Sequence, residues 1–173
     1  MTEHNTQSAD ETRRVLLLAH TGRDDAREVA RAFCKALTAH GIVVRLLAQE
    51  ALDLDIDAAL FDPPIETVVD DGRAAVACEL TVVIGGDGTI LRAAEITHRT
   101  GTPLLGVNLG HVGFLAEAEY DDVSATIDAI VERRYTAEDR LTIDVSVFRD
   151  GELVWRTPVL FLIVGVIVLV WRR

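Results

Sequence analysis

Three short apolar runs fix what this chain can become. VLLLAH (Val15 to His20), IVVRLLA (Ile42 to Ala48) and LTVVIGG (Leu80 to Gly86) are each long enough for a buried strand and too short for a helix. Between the first two lies Arg23 to His40, where Val29, Ala32, Phe33, Ala36 and Leu37 fall on one helical face. Thr21-Gly22 turns the chain before that helix, and Gly41 stops it. Strand, helix and strand joined in this order predict a right-handed crossover and a parallel sheet.

The pattern continues along the chain. Gln49 to Pro64 is acidic and ends in Asp62-Pro63-Pro64, which predicts a surface loop with at most one helical turn. Ile65 to Val69 is expected as a short edge strand and Gly72 to Cys78 as a short helix. After the third apolar run come a helix over Thr89 to Arg99, a break at Gly101-Thr102-Pro103, a strand over Leu104 to Gly110 and an amphipathic helix over Asp121 to Arg134. From Asp139 the period changes to two. Leu141, Ile143, Val145 and Val147 alternate with polar residues, and Asp150-Gly151 signals a hairpin turn into Glu152 to Arg156. The expected fold is α/β, a Rossmann-like parallel sheet with helices on both faces, followed by the start of an antiparallel β domain.

Apolar residues at 49% and charged residues at 26% are globular values and exclude a disordered or collagen-like chain. Of 28 acidic and 17 basic side chains, the segment Leu153 to Arg173 holds three arginines and no acid, so residues 1–152 carry a formal charge of −14. A body that acidic repels a phosphate backbone, so no nucleic-acid partner is expected and any bound phosphate must be held locally. Cys34 and Cys78 have no partner at metal-ligand spacing and read as reduced thiols of a cytoplasmic protein. The polar residues 1–12 lack the apolar stretch of a signal peptide and read as a disordered leader.

The chemistry lies in Thr81 to Glu95, TVVIGGDGTILRAAE. A buried strand delivers Gly85, Gly86, Asp87, Gly88 and Thr89 to the carboxyl edge of the sheet, where open α/β sheets bind ligands. Glycines admit phosphate oxygens close to backbone amides, and the next helix begins with unpaired N–H groups and a positive dipole end. An aspartate there either deprotonates an attacking hydroxyl, helps hold a divalent cation, or caps the helix. Arg92, one turn beyond Gly88, reaches either a phosphate or a neighbouring acid such as Glu95. Thr21-Gly22-Arg23, at the end of the first strand, is placed to line the same cleft. The loop is neither a P-loop nor a GxGxxG fingerprint.

It does resemble the glycine-aspartate-glycine motif shared by NAD kinases, diacylglycerol and sphingosine-type lipid kinases and phosphofructokinases. The next segment, Gly106-Val107-Asn108-Leu109-Gly110-His111-Val112-Gly113-Phe114-Leu115, is similar to the second glycine-rich block of bacterial, actinobacterial-type NAD kinases. The resemblance runs from about Val15 to about Arg156 and includes Glu138-Asp139-Arg140-Leu141-Thr142. It implies phosphorylation of the adenosine-ribose 2′-hydroxyl of NAD to give NADP, with ATP or polyphosphate as donor and a divalent metal cation, Mg, as cofactor. Asp87 would be the catalytic base. Gly85, Gly86, Gly88, Thr89, Arg92, Asn108, Gly110, Phe114 and Leu115 would contact nucleotide or substrate, with Phe114 and Leu115 as an apolar wall for adenine. His111 is either a ligand contact or a solvated loop side chain. The family is usually homo-oligomeric.

These readings divide the chain into the leader 1–12, an α/β nucleotide-binding catalytic domain over 13–138, the start of the β domain over 139–158 and an apolar tail over 159–173. NAD kinases continue past the position of Arg156 with an Asn-Glu motif and a Thr-rich segment on a larger β domain. Here Thr157-Pro158 is followed by VLFLIVGVIVLVW, so the chain is expected to be incomplete. The tail's thirteen residues would rise only about 20 Å as a helix, short of a bilayer core, which disfavours a membrane span. A shallow membrane contact, a strand pair bent at Gly165 and a truncation or frame-change artefact remain open. The alternatives to an active kinase are a non-catalytic nucleotide-binding fragment and a lipid kinase domain of the GGDGT type.

Overall fold

The computed structural model describes residues 12–109, 123–139 and 143–159. Nearly all of the proposed leader and of the apolar tail lies outside these residues. Chain order is β1 (Arg14–Ala19), α1 (Asp24–Ala39), β2 (Val43–Leu47), α2 (Ala48–Asp53), a 3-10 turn (Ala58–Leu60), β3 (Glu66–Val68), β4 (Leu80–Ile84), α3 (Asp87–Thr97), β5 (Leu104–Val107) and α4 (Val123–Val131). A two-stranded antiparallel hairpin, β6 (Ile143–Arg149) and β7 (Glu152–Val159), follows.

The five strands β1 to β5 are all parallel and stand in the order β3-β2-β1-β4-β5. The three apolar runs become β1, β2 and β4, adjacent strands at the centre. Residues 15–19 are at most 3% exposed because both faces of β1 are covered. Val15, Leu17 and Ala19 join the cluster formed by Phe33 and Leu37 of α1 and Ile127 and Ile130 of α4. Leu16 and Leu18 point the other way, into the cluster with Ile90, Ala93 and Ile96 of α3. An unbroken apolar strand is what this two-sided burial demands.

Helix α1 carries Asp24 and Asp25 in its first turn, favourable at the positive dipole end. It ends in a Schellman motif: the Gly41 amide donates to the Thr38 carbonyl at 2.8 Å and the Ile42 amide to that of Leu37 at 3.1 Å. Gly41 has φ +73°, a left-handed conformation that glycine adopts without cost. The buried face comprises Ala26, Val29, Ala30, Phe33, Cys34, Leu37 and Thr38. Ala32, expected on it, is exposed, because the stripe is centred on Ala30 and Phe33. Burial pushes the Cys34 thiol up to about 12, which keeps it protonated and inert.

Two other expectations change. Gly72 to Cys78 forms turns rather than a helix, since Gly72 (φ +74°) and Ala77 (φ +60°) both leave the helical region. The acidic stretch after β2 is more structured than expected: α2 buries Glu50 and Ala51, and Leu54 follows them into the core. Strand β7 runs to Val159, beyond the Arg156 expected.

Arginines fasten the periphery. At the amino edge, the Arg13 guanidinium donates to the Ile130 and Val131 carbonyls, both at 2.7 Å, and to Glu79 at 2.5 Å. It thus ties the negative end of α4 to the approaches of β1 and β4. Arg133 and the Tyr135 hydroxyl also donate to Glu79, at 3.2 and 3.3 Å. Glu66 on the edge strand β3 accepts from Arg45 at 2.6 Å and from Arg14 at 3.1 Å.

Burial pushes the Glu79 carboxyl up, but the hydrogen bond and charge of Arg13, the charge of Arg133 and the Tyr135 hydroxyl outweigh it and hold the group below its ordinary 4.5. A carboxyl lowered on folding stabilises above its unfolded pKa and loses that contribution as pH falls through its folded value. The melting-temperature gap between wild type and Glu79→Gln should therefore be full at neutral pH and shrink below about 4.5. A gap that does not change with pH would refute the assignment. Leu17→Ala should cost about 2–5 kcal/mol in urea unfolding, since Leu17 is fully buried on the central strand.

Candidate active site at the carboxyl edge of the sheet

From β1 the chain builds outward to β2 and β3, then returns to place β4 and β5 on the other side of β1. The crevice between the carboxyl ends of β1 and β4 is therefore the topological switch point, where open α/β sheets take their ligands. Two loops flank it, residues 20–23 after β1 and Gly85-Gly86 after β4. Backbone bonds fix both: the His20 amide donates to the Ile84 carbonyl at 2.9 Å, and the Gly85 amide to the Val107 carbonyl at 3.0 Å.

Gly85 is required by close approach. A Cβ there would lie 2.6 Å from Thr89 Oγ1 and 3.2 Å from the His20 Cβ. At Gly86 and Gly88 a Cβ would meet no atom of another described segment within 4 Å, so among the described residues nothing fills the space beside them. Gly86 occupies the N-cap of α3 and has no side chain to cap with, while the Thr89 and Ile90 amides turn back to its carbonyl. The first turn of α3 thus faces the crevice with its positive dipole end. Asp87 opens the helix, and its Oδ1 is buried with no hydrogen-bond partner among the described residues. That oxygen is not spent on a cap.

Gly85, Gly86, Asp87, Gly88 and Thr89 therefore come together at one turn. Asn108 stands one residue past the end of β5, half-buried at the same sheet edge. Gly110, His111, Phe114 and Leu115 lie outside the described residues. Arg92 does not pair with Glu95. Its Nη1 donates to Glu50 at 2.8 Å, and its Nη2 lies 3.7 Å from Asp70. The first-strand loop is also tied into the edge: Thr21 donates to Asp53 at 3.0 Å, and Arg23, held by Asp25 at 2.5 Å, donates to the Leu109 carbonyl at 3.1 Å. Arg23 thus straps the loop after β1 to the chain leaving β5.

Sequence reasoning passed over Glu50, Asp53 and Asp70. Glu50 is the notable one, with a side chain only 4% exposed. Besides Arg92 it accepts the Ala19 amide at 3.1 Å, at the last residue of β1. Burial raises its pKa, against the lowering influence of that amide and of Arg92. The available signal was the trio Glu50, Ala51 and Leu54, which spans one turn of helix and faces inward together. Among the described residues no group of three or more His, Cys, Asp or Glu side chains is placed to hold a metal ion, and no helix is long and apolar enough to cross a membrane.

Comparison with known proteins agrees with this geometry. Residues 15–135 match the family model of the ATP-NAD kinase N-terminal domain. The chain is 53% identical to the NAD kinase of Thermobifida fusca over 139 residues, covering 80% of this chain and 42% of that protein. It is 47% identical to the NAD kinase of Mycobacterium bovis over 150 residues (83% and 49%) and 48% identical to NAD kinase 2 of Streptomyces coelicolor over 143 residues (82% and 46%). The chain spans less than half the length of these curated relatives. In fold it resembles the crystal structure of yeast NADH kinase complexed with NADH, with TM-score 0.58 and 18% identity over 86% of this chain and 55% of that one. The chain belongs to the ATP-NAD kinase family and carries its N-terminal domain.

Proposed function

We propose that this domain serves the phosphorylation of NAD to NADP, moving a phosphoryl group from ATP or inorganic polyphosphate to the adenosine-ribose 2′-hydroxyl. The observation that carries the reading is the Oδ1 of Asp87, buried and without a hydrogen-bond partner among the described residues, beside the uncapped end of α3 at the switch point. Asp87 takes the proton of the 2′-hydroxyl as its oxygen bonds to the donor's terminal phosphorus, and the bond from that phosphorus to the bridging oxygen breaks. Amides of the α3 first turn, with Gly86 and Gly88 leaving room, hold phosphate oxygens.

The printed names of the relatives support NAD as acceptor, and the neighbour solved with NADH supports a dinucleotide ligand. Thr89, Arg92, Asn108, Gly110, Phe114 and Leu115 are the proposed further nucleotide and substrate contacts. A divalent cation in this reading would be held chiefly by phosphate and water oxygens, with the other Asp87 carboxylate oxygen as its protein ligand, as Mg²⁺ prefers. Bound there, the cation would neutralise charge on the transferring phosphoryl group. The same reading places the protein in the cytoplasm as a homo-oligomer, with 13–138 as the catalytic α/β domain and 139–158 as the beginning of a β domain.

The alternative reading is a nucleotide-binding domain without turnover. An assay for NADP alongside calorimetry with NAD separates the two, since binding without product supports the second. In a protein that carries this domain and turns over, Asp87→Asn should lower kcat about 10²–10⁴-fold with less effect on NAD affinity. Equal rates for the two proteins would remove Asp87 from the chemistry. Gly88→Ala should keep or raise the melting temperature, by up to about 1 kcal/mol of stability, because it lies within α3 and its Cβ meets no other segment among the described residues. The same change should weaken ATP or NAD binding, and unchanged affinity would mean that phosphate does not approach there.

A further inference from the structure

Arg92 is a cation in an acidic body, and its two partners differ in kind. Glu50 is 4% exposed and hydrogen-bonded at 2.8 Å, whereas Asp70 is 47% exposed and 3.7 Å away, too far for a hydrogen bond. Glu50 is also fixed from behind by the Ala19 amide at the end of β1, the strand that borders the crevice. Releasing Arg92 from Glu50 would leave a buried carboxylate unpaired, so that contact persists. The contact with Asp70 is a solvent-screened ion pair that exchanges readily. Arg92 lies four residues after Gly88, on the same face of α3 and one turn from the glycine loop.

We propose that Glu50 is a positioning residue, holding Arg92 beside the Gly85 to Thr89 loop as a phosphate-binding group, and that Asp70 is the exchangeable counter-ion an incoming phosphate displaces. The inference rests on the phosphoryl-transfer reading for the presence of a nucleotide in the crevice, and adds what prepares the arginine to meet it. A planar guanidinium suits both roles, keeping one nitrogen on Glu50 while offering the other to a phosphate oxygen. With Glu50 neutralising it from the buried side, Arg92 keeps its place whether or not Asp70 is engaged. The phosphate belongs either to the donor or to the dinucleotide's pyrophosphate.

The test is calorimetric titration of the full 173-residue chain with ATP, inorganic tripolyphosphate and NAD in separate arms, with a melting temperature for each variant. Asp70→Asn should tighten phosphate binding about two- to fivefold, the range lost with one exposed ion pair. Glu50→Gln should weaken it at temperatures where the variant is folded, and Arg92→Lys should retain part of the affinity. The gain from Asp70→Asn should vanish in an Arg92→Gln background, which a general change in charge would not do. A gain with ATP and tripolyphosphate alone assigns Arg92 to the donor, and a gain with NAD assigns it to the pyrophosphate. Binding by wild type that is indifferent to Asp70 and Glu50, or a gain that survives Arg92→Gln, overturns this proposal and leaves the function standing. Failure of wild type to bind any of the three overturns both.

Discussion

The parallel pairing of β1 with β4 is the constraint on which the rest depends. Val15 to Ala19 run in register with Leu80 to Ile84, and every residue on both sides of that ladder is buried. Because the two strands are central, α1 and α4 cover one face and α3 the other. Because they are adjacent in space yet separated by β2 and β3 in the chain, their carboxyl ends open a crevice. Weakening the ladder would release the two clusters it separates and the loops that line that crevice.

Electrostatics follow from the same arrangement. With residues 1–152 at a formal −14, an anionic ligand meets repulsion at long range and needs fixed local donors to bind. The proposed function draws such donors from the Asp87 and Gly88 amides at the start of α3, since those of Thr89 and Ile90 turn back to the Gly86 carbonyl. The arginines of the domain are mostly occupied in holding pieces together: Arg13 on α4 and Glu79, Arg45 on β3 and the 74–76 carbonyls, Arg23 across from β1 to β5. Arg92 differs in having one strong partner, one loose partner and a half-exposed guanidinium.

Much of the fold was legible because its signals are local. Apolar runs of six or seven residues marked β1, β2 and β4, Gly41 marked the end of α1, and Asp150-Gly151 marked the hairpin turn that β6 and β7 flank. The position of the glycine-aspartate-glycine loop between β4 and α3 was legible for the same reason, since it is a run of consecutive residues. The misses were cases where distant packing decided. Nothing local separates the solvated acids after β2 from Glu50, which the end of β1 and α3 together bury. Gly72 to Cys78 has a helical composition, yet Arg45 and Thr102 claim the Ala74, Ala75 and Val76 carbonyls and hold it as turns.

The sequence by itself determined the class of fold, most of the order of its elements, the glycine-rich turn from Gly85 to Thr89 after β4 and the family to which the chain is similar. Each is written in short-range periodicity, in glycine placement or in one contiguous motif. Only the tertiary structure decided that β1 and β4 are neighbours and that a buried oxygen of Asp87 has no hydrogen-bond partner among the described residues. It also paired Arg92 with residues 42 and 22 positions away rather than with Glu95 on its own helix. The physical reason is that burial and charge pairing are properties of the assembled sheet edge, which gathers the ends of strands that the chain itself keeps far apart.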